Sequence, residues 1–313
     1  MTGTVGGALL VVGDVVTDVV ARHRGPLATG TDTAAQVRTV PGGAGANVAC
    51  WAAYQGCRDV VLLGRVGVDS ARWHEEELVR CGVRPRLVVD AEAPTGTVIC
   101  LVDAGAGGER TFLADGGASR RAGPEDWSPE LLDGVGLLHL SGYLCFSAAG
   151  RELVSAAVAD ARARGVPVSL DPASTGFLRE LGVERFLALV DGVEVLVPSR
   201  DEAVLLSGEP GAAGAAGAAD AADAAAKLSG RFPVVVVKEG AAGACVARGG
   251  VVRERVGAAA GVVVRDSTGA GDAFTGAVLA ARLRGAGWRE AVGEGCGAGG
   301  VAVGVVGGRP PGR

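Results

Sequence analysis

The sequence predicts an α/β protein with a doubly wound, mainly parallel central sheet that is flanked by helices. Short apolar runs alternate with helical patterns, above all from Leu137 onwards, and this alternation is typical of βαβ units. Several runs, such as Ala8–Val12, are apolar at every position, as expected for strands buried on both faces. With 313 residues and 48% apolar side chains, the chain can form a sizeable core.

The first eighty residues contain patterns for four strands and two helices. The predicted strands are Ala8–Val12, Val15–Val20, Ala34–Val40 and Val60–Gly64, and the predicted helices are Asn47–Tyr54 and Ser70–Cys81. Asp14 and Asp18 interrupt valine-rich stretches, where a buried charge is costly. They therefore either face solvent at a strand end or bind polar groups of a ligand. His74 is expected on a solvated helix face and not as a ligand.

A hairpin is predicted further on, where the runs Thr95–Val102 and Arg110–Leu113 flank the glycine-rich turn Gly105–Gly108. Arg110 could contact a substrate from this hairpin or be a solvated hairpin residue. In the second half, Ala212–Ala226 is a low-complexity stretch, for which we expect an exposed loop and helix without chemistry.

The second half continues the alternation of strands and helices. The predicted strands are Leu137–Ser141, Val166–Leu170, Val193–Val197, Val234–Val237 and Gly261–Val264, and the predicted helices are Ala148–Arg164, Ser199–Ser207 and Ala273–Arg284. Ligands of such sheets bind at the carboxyl ends of the strands. The candidate polar residues at these ends are Ser141, Asp171, Glu202, Lys238 and Asp272.

Composition and charge exclude some classes of function. The net charge of −5 gives no indication of a nucleic-acid partner. The seven cysteines are scattered without a C-x-x-C pair, so we expect reduced, mostly buried thiols in the cytoplasm. The first apolar run is interrupted by Asp14 and lacks a basic region before it, and no apolar run reaches about 18 residues. We therefore expect neither a signal peptide nor a membrane span.

The most informative stretch is Asp266–Phe274, with the sequence DSTGAGDAF. Its glycines lie where a strand is predicted to lead into a helix, and glycine lets the backbone approach a ligand closely. The first N–H groups of a helix have no intrahelical partner and lie at the positive end of the dipole. Gly269, Ala270 and Gly271 are therefore predicted to bind an anion, most naturally a phosphate.

Asp272 follows this predicted anion site directly, although a carboxylate should repel an anion. The position makes sense if Asp272 takes the proton from a hydroxyl group that attacks a bound phosphoryl group. We expect the helix terminus to keep Asp272 ionised and so competent as a base. The alternative is that Asp272 only caps the helix, since Asp is favoured there.

Other motifs for phosphate chemistry and hydrolysis do not occur in the sequence. The chain lacks the P-loop pattern and the protein-kinase motifs. A G-x-G-x-x-G match at Gly295–Gly300 lacks the βαβ context and is expected by chance in a glycine-rich chain. Phosphoryl transfer to a small molecule at Gly269–Gly271 therefore remains as the predicted chemistry.

Asp266–Phe274 resembles the C-terminal signature of the ribokinase-like (PfkB) family of carbohydrate kinases. The stretch Pro41–Asn47, with the sequence PGGAGAN, resembles the N-terminal signature of the same family. Two signatures in the right order are more specific than either alone. The resemblance implies one ribokinase-like domain over residues 1–313, with a small β lid from about 15–40 and 94–115 that excludes water during transfer.

The resemblance also implies roles for individual residues. The sugar would be held by Asp18, Gly42, Gly43 and Asn47, with Asp14 and Arg110 as further candidates. Lys238 and Gly240 lie where the family contacts the phosphates of ATP, and Glu202 would organise Mg²⁺ through water. Asp266 and Thr268 lie where ribokinase-like members hold a monovalent cation such as K⁺. Family members often form homodimers through the lid strands, whose open edges favour pairing.

The sequence departs from the family pattern at Val16, Ala44, Ser199 and Cys296. These departures argue against naming ribose, so fructose, a 2-keto-3-deoxy sugar acid, another sugar or a nucleoside stay open as substrates. A nucleoside kinase would need an aromatic platform for the base, for which Trp51, Tyr54, Phe112 and Tyr143 are the candidates. The rival from another class is a non-catalytic protein that binds sugar or nucleotide on this fold.

Overall fold

The computed structural model describes residues 6–103, 105, 109–208 and 221–312. Its strands are β1 (Ala8–Val12), β2 (Val16–His23), β3 (Ala35–Gly42), β4 (Val60–Gly67), β5 (Arg84–Asp90), β6 (Thr95–Asp103), β7 (Glu109–Gly117), β8 (Val135–Ser141), β9 (Val168–Asp171), β10 (Val195–Leu196), β11 (Val234–Lys238), β12 (Ala244–Arg248) and β13 (Val251–Val256). Its α-helices are α1 (Ala44–Tyr54), α2 (Ala71–Arg80), α3 (Ala148–Ala163), α4 (Thr175–Leu181), α5 (Val183–Leu189), α6 (Arg200–Ser207), α7 (Ala221–Leu228), α8 (Ala270–Leu283) and α9 (Trp288–Ala302).

The central sheet has the strand order β13-β12-β11-β10-β9-β8-β1-β4-β5. The strands from β11 to β5 run parallel to one another, whereas β12 and β13 are added antiparallel at one edge. The predicted α/β class with a mainly parallel sheet is therefore confirmed. Because the parallel strands end at the same edge, the residues that follow them are brought together there.

Both faces of the sheet are covered by helices, and β1 shows how. Leu10 and Val12 pack into the apolar cluster that contains residues of α3 to α7, whereas Leu9 and Val11 pack into the cluster with α1, α2 and α8. All four side chains are almost completely buried. Each such burial stabilises the fold by about 1.5–3 kcal/mol, which explains why these strands are apolar at successive positions.

A second, four-stranded sheet has the order β3-β2-β6-β7. Its strands come from residues 16–42 and 95–117, the two segments expected to form the small sheet. The strands β2 and β6 are parallel neighbours, and β3 and β7 pair antiparallel at the two edges. The turn residues 104 and 106–108 lie outside the described residues, as does the side chain of Arg110.

The predicted strand Gly261–Val264 is wrong. These residues form a turn and irregular backbone, and Val263 and Val264 are exposed. The stretch passes over α9, where a Cβ on Gly300 would lie 3.2 Å from Val262 Cγ2. The hairpin β12–β13 forms that edge of the sheet, and the valine run lies against α9 instead of adding a further strand to it.

Other elements were not predicted. The strands β5 and β13, at the two edges of the sheet, alternate exposed and partly buried positions over most of their length, but their sequences, RPRLVVD and VVRERV, do not alternate polar and apolar residues, the pattern that predicts a half-buried strand. In the helix α9, Gly295 allows close packing on α8: a Cβ on Gly295 would lie 2.8 Å from Phe274 Cδ2. The Gly295–Gly300 match therefore lies inside a packed helix. Of the low-complexity stretch, residues 212–220 lie outside the described residues, and α7 begins at Ala221.

His74 does not lie on a solvated face as expected. It is completely buried, and its Nε2 lies 3.1 Å from Thr17 Oγ1 in β2. Burial, reinforced by the positive charge of Arg309, lowers the pKa of His74 to about 4, so the ring is neutral near pH 7. None of the helices described combines the length and apolar character needed to cross a membrane.

Candidate active site

The predicted site residues gather at the carboxyl edge of the central sheet. Lys238 ends β11 and Asp171 ends β9, while Glu202 and Asp272 lie in the first turns of α6 and α8. Asn47 lies in the first turn of α1. The topology thus brings together residues that are more than 200 positions apart in the sequence.

The predicted anion site lies at the start of α8, where a glycine turn leads into the helix. Gly269 is the N-cap residue with φ 72°, and no side chain caps the helix there. A Cβ on Gly269 would lie 2.5 Å from Gly308 Cα, so glycine is required both for the positive φ and for space. The N–H of Ala270 makes a long bond of 3.3 Å to Ser267 O, whereas the first-turn N–H of Gly271 has no intrahelical partner.

Asp272 is half-buried, and its Oδ2 accepts a hydrogen bond of 2.8 Å from Asn47 Nδ2. Burial raises the pKa of Asp272 to about 7, while the bond from Asn47 and the ammonium of Lys238 oppose that shift and the Asp171 carboxylate adds to it. We expected the helix terminus to hold Asp272 ionised, but burial outweighs that effect. A pKa near 7 still suits a general base at neutral pH.

Lys238 is held beside the first turn of α8. Its Nζ donates a hydrogen bond of 2.5 Å to Asp171 Oδ2, which also accepts one of 3.1 Å from Thr275 Oγ1. A Cβ on Gly271 would lie 3.4 Å from Lys238 Nζ. Burial alone would lower the pKa of Lys238, but the carboxylates of Asp171 and Glu202 raise it. The ammonium is therefore a permanent positive charge next to the anion site.

Glu202 is buried and forms a capping box at the start of α6. Ser199 N donates to Glu202 Oε2 at 2.8 Å, and Glu202 N donates to Ser199 Oγ at 3.4 Å. Burial and the Asp171 carboxylate raise the pKa of Glu202, and Lys238 opposes them. Ser199, one of the departures from the family pattern, is thus the N-cap residue of α6.

Asp14 supports the start of α1. Its Oδ2 accepts from Ala44 N at 2.7 Å, and its Oδ1 accepts from Gly45 N at 3.2 Å and from Ser141 Oγ at 2.7 Å. These bonds place the negative charge at a helix N-terminus, where it is stabilising. Its position as a substrate ligand remains a prediction, while its role in fixing α1 is visible in the contacts.

Gly42 and Gly43 allow Asp18 and Asp14 of the chain itself to approach the backbone closely, while their contact with a substrate stays a prediction. A Cβ on Gly42 would lie 2.3 Å from Asp18 Cγ, and Gly43 has φ 96°, with a Cβ there 2.4 Å from Asp14 O. Asp18 is only 8% exposed, and burial raises its pKa to about 7, against the opposing charge of Arg309. The Gly42–Gly43 turn and the Asp18 carboxylate therefore lie together on one side of the candidate site.

Asp266 is buried and joins two segments of backbone. Its Oδ1 accepts from Thr268 N at 2.9 Å, and its Oδ2 accepts from Gly307 N at 2.9 Å. Gly240, with φ 58°, lies in an exposed turn after β11. Within the described residues, no group of three or more His, Cys, Asp or Glu side chains is suited to hold a metal ion.

Sequence reasoning missed one part of the site, which we name the C-terminal strap (Gly307–Arg309). Gly308 O accepts from Trp51 Nε1 at 2.9 Å, and a Cβ on Gly308 would lie 2.3 Å from Asn47 Nδ2. The strap therefore touches the loop before α8, the anion turn and α1 at once. The only signal in the sequence is the pair Gly307-Gly308, which indicates close backbone approach without naming a partner.

Tyr143, Phe146 and Phe177 form an aromatic cluster beside the site. The rings of Phe146 and Phe177 stack at 5.0 Å, and Tyr143 packs edge-on against both. Tyr143 is 38% exposed, and desolvation together with the carboxylates of Asp14 and Asp272 raises the pKa of its phenol. Of the other aromatic candidates, Trp51 is completely buried and Phe112 is 52% exposed on β7.

The fold and this site are those of a class of α/β phosphotransferases, with a glycine-rich turn at a helix start and a carboxylate in the first turn of that helix. Comparison with known proteins agrees. The family model described as pfkB family carbohydrate kinase matches residues 8–312, and the chain belongs to this family. Members of this family that are similar to the chain are named as fructokinase and ribokinase, and the chain is accordingly a kinase that phosphorylates a hydroxyl group.

Two curated relatives and two solved structures show the extent of the similarity. A fructokinase of Klebsiella pneumoniae is 31% identical over 287 residues, covering 88% of this chain and 84% of that protein. A ribokinase of Arabidopsis thaliana is 29% identical over 311 residues, covering 96% and 77%. An adenosine kinase from Sinorhizobium meliloti superposes with a TM-score of 0.84 at 22% identity, covering 97% and 96%.

The second structure is an Escherichia coli protein described as a ribokinase II in complex with ATP and Mg²⁺. It superposes with a TM-score of 0.81 at 23% identity, covering 97% of this chain and 94% of that one. At these identities the two superpositions establish the fold.

Proposed function

We propose that the protein transfers the γ-phosphoryl group of ATP to a hydroxyl group of a small sugar or sugar derivative. The observation that carries the proposal is the meeting of Asp272, the uncapped N-terminus of α8 and Lys238 at one point. A base, a backbone anion site and a fixed cation are the groups that phosphoryl transfer requires. The family membership and the ATP complex of a protein with the same fold support this proposal.

In the proposed step, Asp272 accepts the proton of the attacking hydroxyl group. A bond forms between the sugar oxygen and the γ-phosphorus, and the bond from that phosphorus to the β,γ-bridging oxygen breaks, leaving ADP. The N–H groups of Gly269, Ala270 and Gly271 stabilise the charge on the transferring group. Asn47 holds the Asp272 carboxylate in place through its bond of 2.8 Å.

Asp18, Gly42, Gly43 and Asn47 form the proposed sugar subsite, because carboxylate and amide groups accept and donate the hydrogen bonds that hydroxyls need. Asp14 and Arg110 remain further candidates for it. Lys238 and Gly240 are proposed to contact the nucleotide phosphates from the end of β11.

The donor set around Glu202 fits Mg²⁺ held through water. The carboxylates of buried Glu202 and half-buried Asp171 provide negative charge but few free oxygens, and Mg²⁺ typically keeps several waters in such sites. When bound with ATP, the ion would neutralise charge on the phosphates. Asp266 and Thr268 are the proposed residues for a monovalent cation such as K⁺, although the Asp266 carboxylate already accepts two backbone bonds.

A sugar is the favoured acceptor, given the fructokinase and ribokinase relatives. A nucleoside is the second candidate, because Tyr143, Phe146 and Phe177 offer aromatic surface beside the site and aromatic faces stack on bases. We also propose that the small sheet acts as the lid, that two copies pair through it, and that the protein works in the cytoplasm without nucleic-acid or membrane partners. The seven free cysteines fit a reducing compartment.

The test is ADP release measured by a coupled assay with Mg-ATP, with and without K⁺, against pentoses, hexoses, sugar acids and nucleosides. We expect turnover with one or a few sugars. Preferential turnover of a nucleoside would select the second candidate. Tight binding of a sugar and ATP with no turnover of any compound would favour a non-catalytic binding protein and overturn the proposal.

A further inference from the structure

Arg309, in the C-terminal strap, places a guanidinium group beneath the Gly42–Gly43 turn. Its Nη2 donates to Gly42 O at 3.2 Å, and its Nη1 donates to Ala46 O at 3.1 Å and to Cys50 Sγ at 2.6 Å. Its Nε is buried without a partner among the described residues. The guanidinium therefore links the Gly42–Gly43 turn to the first half of α1 through these contacts.

Gly42 lies between Arg309 and Asp18. The carbonyl of Gly42 accepts the bond from Arg309, while its Cα faces Asp18 so closely that a Cβ would lie 2.3 Å from Asp18 Cγ. In β2, Asp18 is almost completely buried. A buried carboxylate at this depth needs a nearby positive charge to stay ionised.

The other charged groups near Asp18 are unfavourable to its ionisation. Burial has the largest effect on the pKa of Asp18, raising it to about 7, and Asp14 and Asp266 raise it further. Arg309 is the group that opposes them. His74, which packs against the neighbouring Thr17, is neutral and supplies no positive charge.

We infer that Arg309 is a positioning residue of the sugar subsite, which holds the Gly42 turn against Asp18 and favours the ionised form of Asp18, so that Asp18 can accept hydrogen bonds from substrate hydroxyls. The inference rests on the proposed function for the meaning of the subsite. The proximity of Arg309 to Asp18 rests on geometry: the guanidinium bonds the Gly42 carbonyl, and Asp18 packs against Gly42 Cα. A protonated carboxyl loses one acceptor, so binding should weaken as Asp18 takes up its proton.

The direct test is a ¹³C NMR titration of the aspartate carboxyls, with Asp18 assigned from the signal that Asp18→Asn removes. In Arg309→Gln we expect the titration midpoint of Asp18 to rise by about one pH unit, the lower end of the effect of a lost neighbouring charge. Arg309→Lys keeps the charge and should shift it much less. Arg185→Gln, which removes an exposed arginine on α5, is the matched control and should leave the midpoint unchanged.

A second readout connects this titration to binding. In an Asp272→Asn background, which removes the other carboxyl that titrates near pH 7, calorimetry at pH 6 measures the Kd of D-fructose, D-ribose or whichever panel compound the wild-type protein phosphorylates. Adding Arg309→Gln should raise that Kd about tenfold, because one pKa unit is a tenfold change in ionisation. Adding Arg309→Lys should restore most of the affinity.

An unchanged Asp18 midpoint in Arg309→Gln would overturn the inference, as would an equal shift in the Gln and Lys variants. If the Gln variant does not fold, Arg309→Met, with a side chain that is also long and uncharged, replaces it. If the wild-type protein phosphorylates nothing in the panel, the proposed function fails, but the carboxyl titration still decides the role of Arg309.

Discussion

Asn47 and Asp272 are 225 positions apart in the sequence, yet Asn47 Nδ2 donates a hydrogen bond of 2.8 Å to Asp272 Oδ2. This bond joins the two signature motifs at the starts of α1 and α8. It fixes the orientation of the proposed base, whereas the N-cap residue of α1 is Gly43 and not Asn47. Gly308 of the strap packs against the same side chain, since a Cβ on Gly308 would lie 2.3 Å from Asn47 Nδ2.

Replacing Asp272 with Asn should reduce kcat by about 10²–10⁴-fold, the usual contribution of a general base. The fold should persist, because an amide oxygen can still accept the bond from Asn47. Asp223→Asn is the matched control: Asp223 lies in the first turn of α7 and is exposed. Turnover near the wild-type rate in Asp272→Asn would show that Asp272 is not the base.

The rate of turnover should rise with pH through about 7 and then level off. Asp272 acts only when deprotonated, and burial raises its pKa to about 7. A pH profile of kcat at saturating substrates measures this limb. Its disappearance in the residual activity of Asp272→Asn would assign it, whereas a flat profile between pH 5.5 and 8 in the wild-type protein would contradict the assignment.

The same burial should make Asp272 and Asp18 destabilising at neutral pH. Both have a folded-state pKa of about 7 against the ordinary aspartate value of 3.8, so the folded protein holds protons that the unfolded chain releases. The extra protons stabilise the folded state. This contribution to the free energy of unfolding is complete below about pH 4 and is lost as pH rises through 7, where both carboxylates are charged and buried. We therefore expect Asp272→Asn to raise Tm at pH 8 relative to wild type, and less so at pH 5. A lower Tm at pH 8 would contradict this.

Gly308→Ala should impair catalysis although Gly308 carries no functional group. The added methyl group would lie 2.3 Å from Asn47 Nδ2, so Asn47 must move and Asp272 loses its support. A misplacement of about 1 Å can cost about 100-fold in rate, so kcat should fall. Circular dichroism should show that the variant is still folded, which separates this effect from unfolding. Gly312→Ala, with nothing within 4 Å, should behave like wild type.

Ala173→Gly should stabilise the protein. Ala173 follows Asp171-Pro172 and has φ 79°, a left-handed conformation that costs a residue with a Cβ about 1–2 kcal/mol. Glycine removes this strain but adds entropy to the unfolded chain, so the net gain should be about 0.5–1 kcal/mol by denaturant unfolding. The control Ala159→Gly, at an exposed position of α3, should instead lower the free energy of unfolding by about 0.5–1 kcal/mol. A lower free energy of unfolding in both variants would show that Ala173 is not strained.

The sequence by itself determined the fold class and the glycine turn that begins α8, because local patterns carry both. Apolar runs without alternation identify strands buried on two faces, and Gly269–Gly271 before a helical pattern predicts a helix start at a glycine turn. The prediction of a strand at Gly261–Val264 failed because a local pattern cannot show whether a stretch pairs with a strand or packs on a helix, as Val262 does against Gly300 of α9.

Only the tertiary structure decided which polar groups meet and which charges are buried. The bond between Asn47 and Asp272, the elevated pKa of Asp272 and the burial of His74 depend on surroundings contributed by distant segments. Arg309 is the clearest case. Nothing local distinguishes it from the other arginines, and its proximity to Asp18 exists only because the chain after α9 returns across α1. Desolvation and charge act through space, so their strength is fixed by packing.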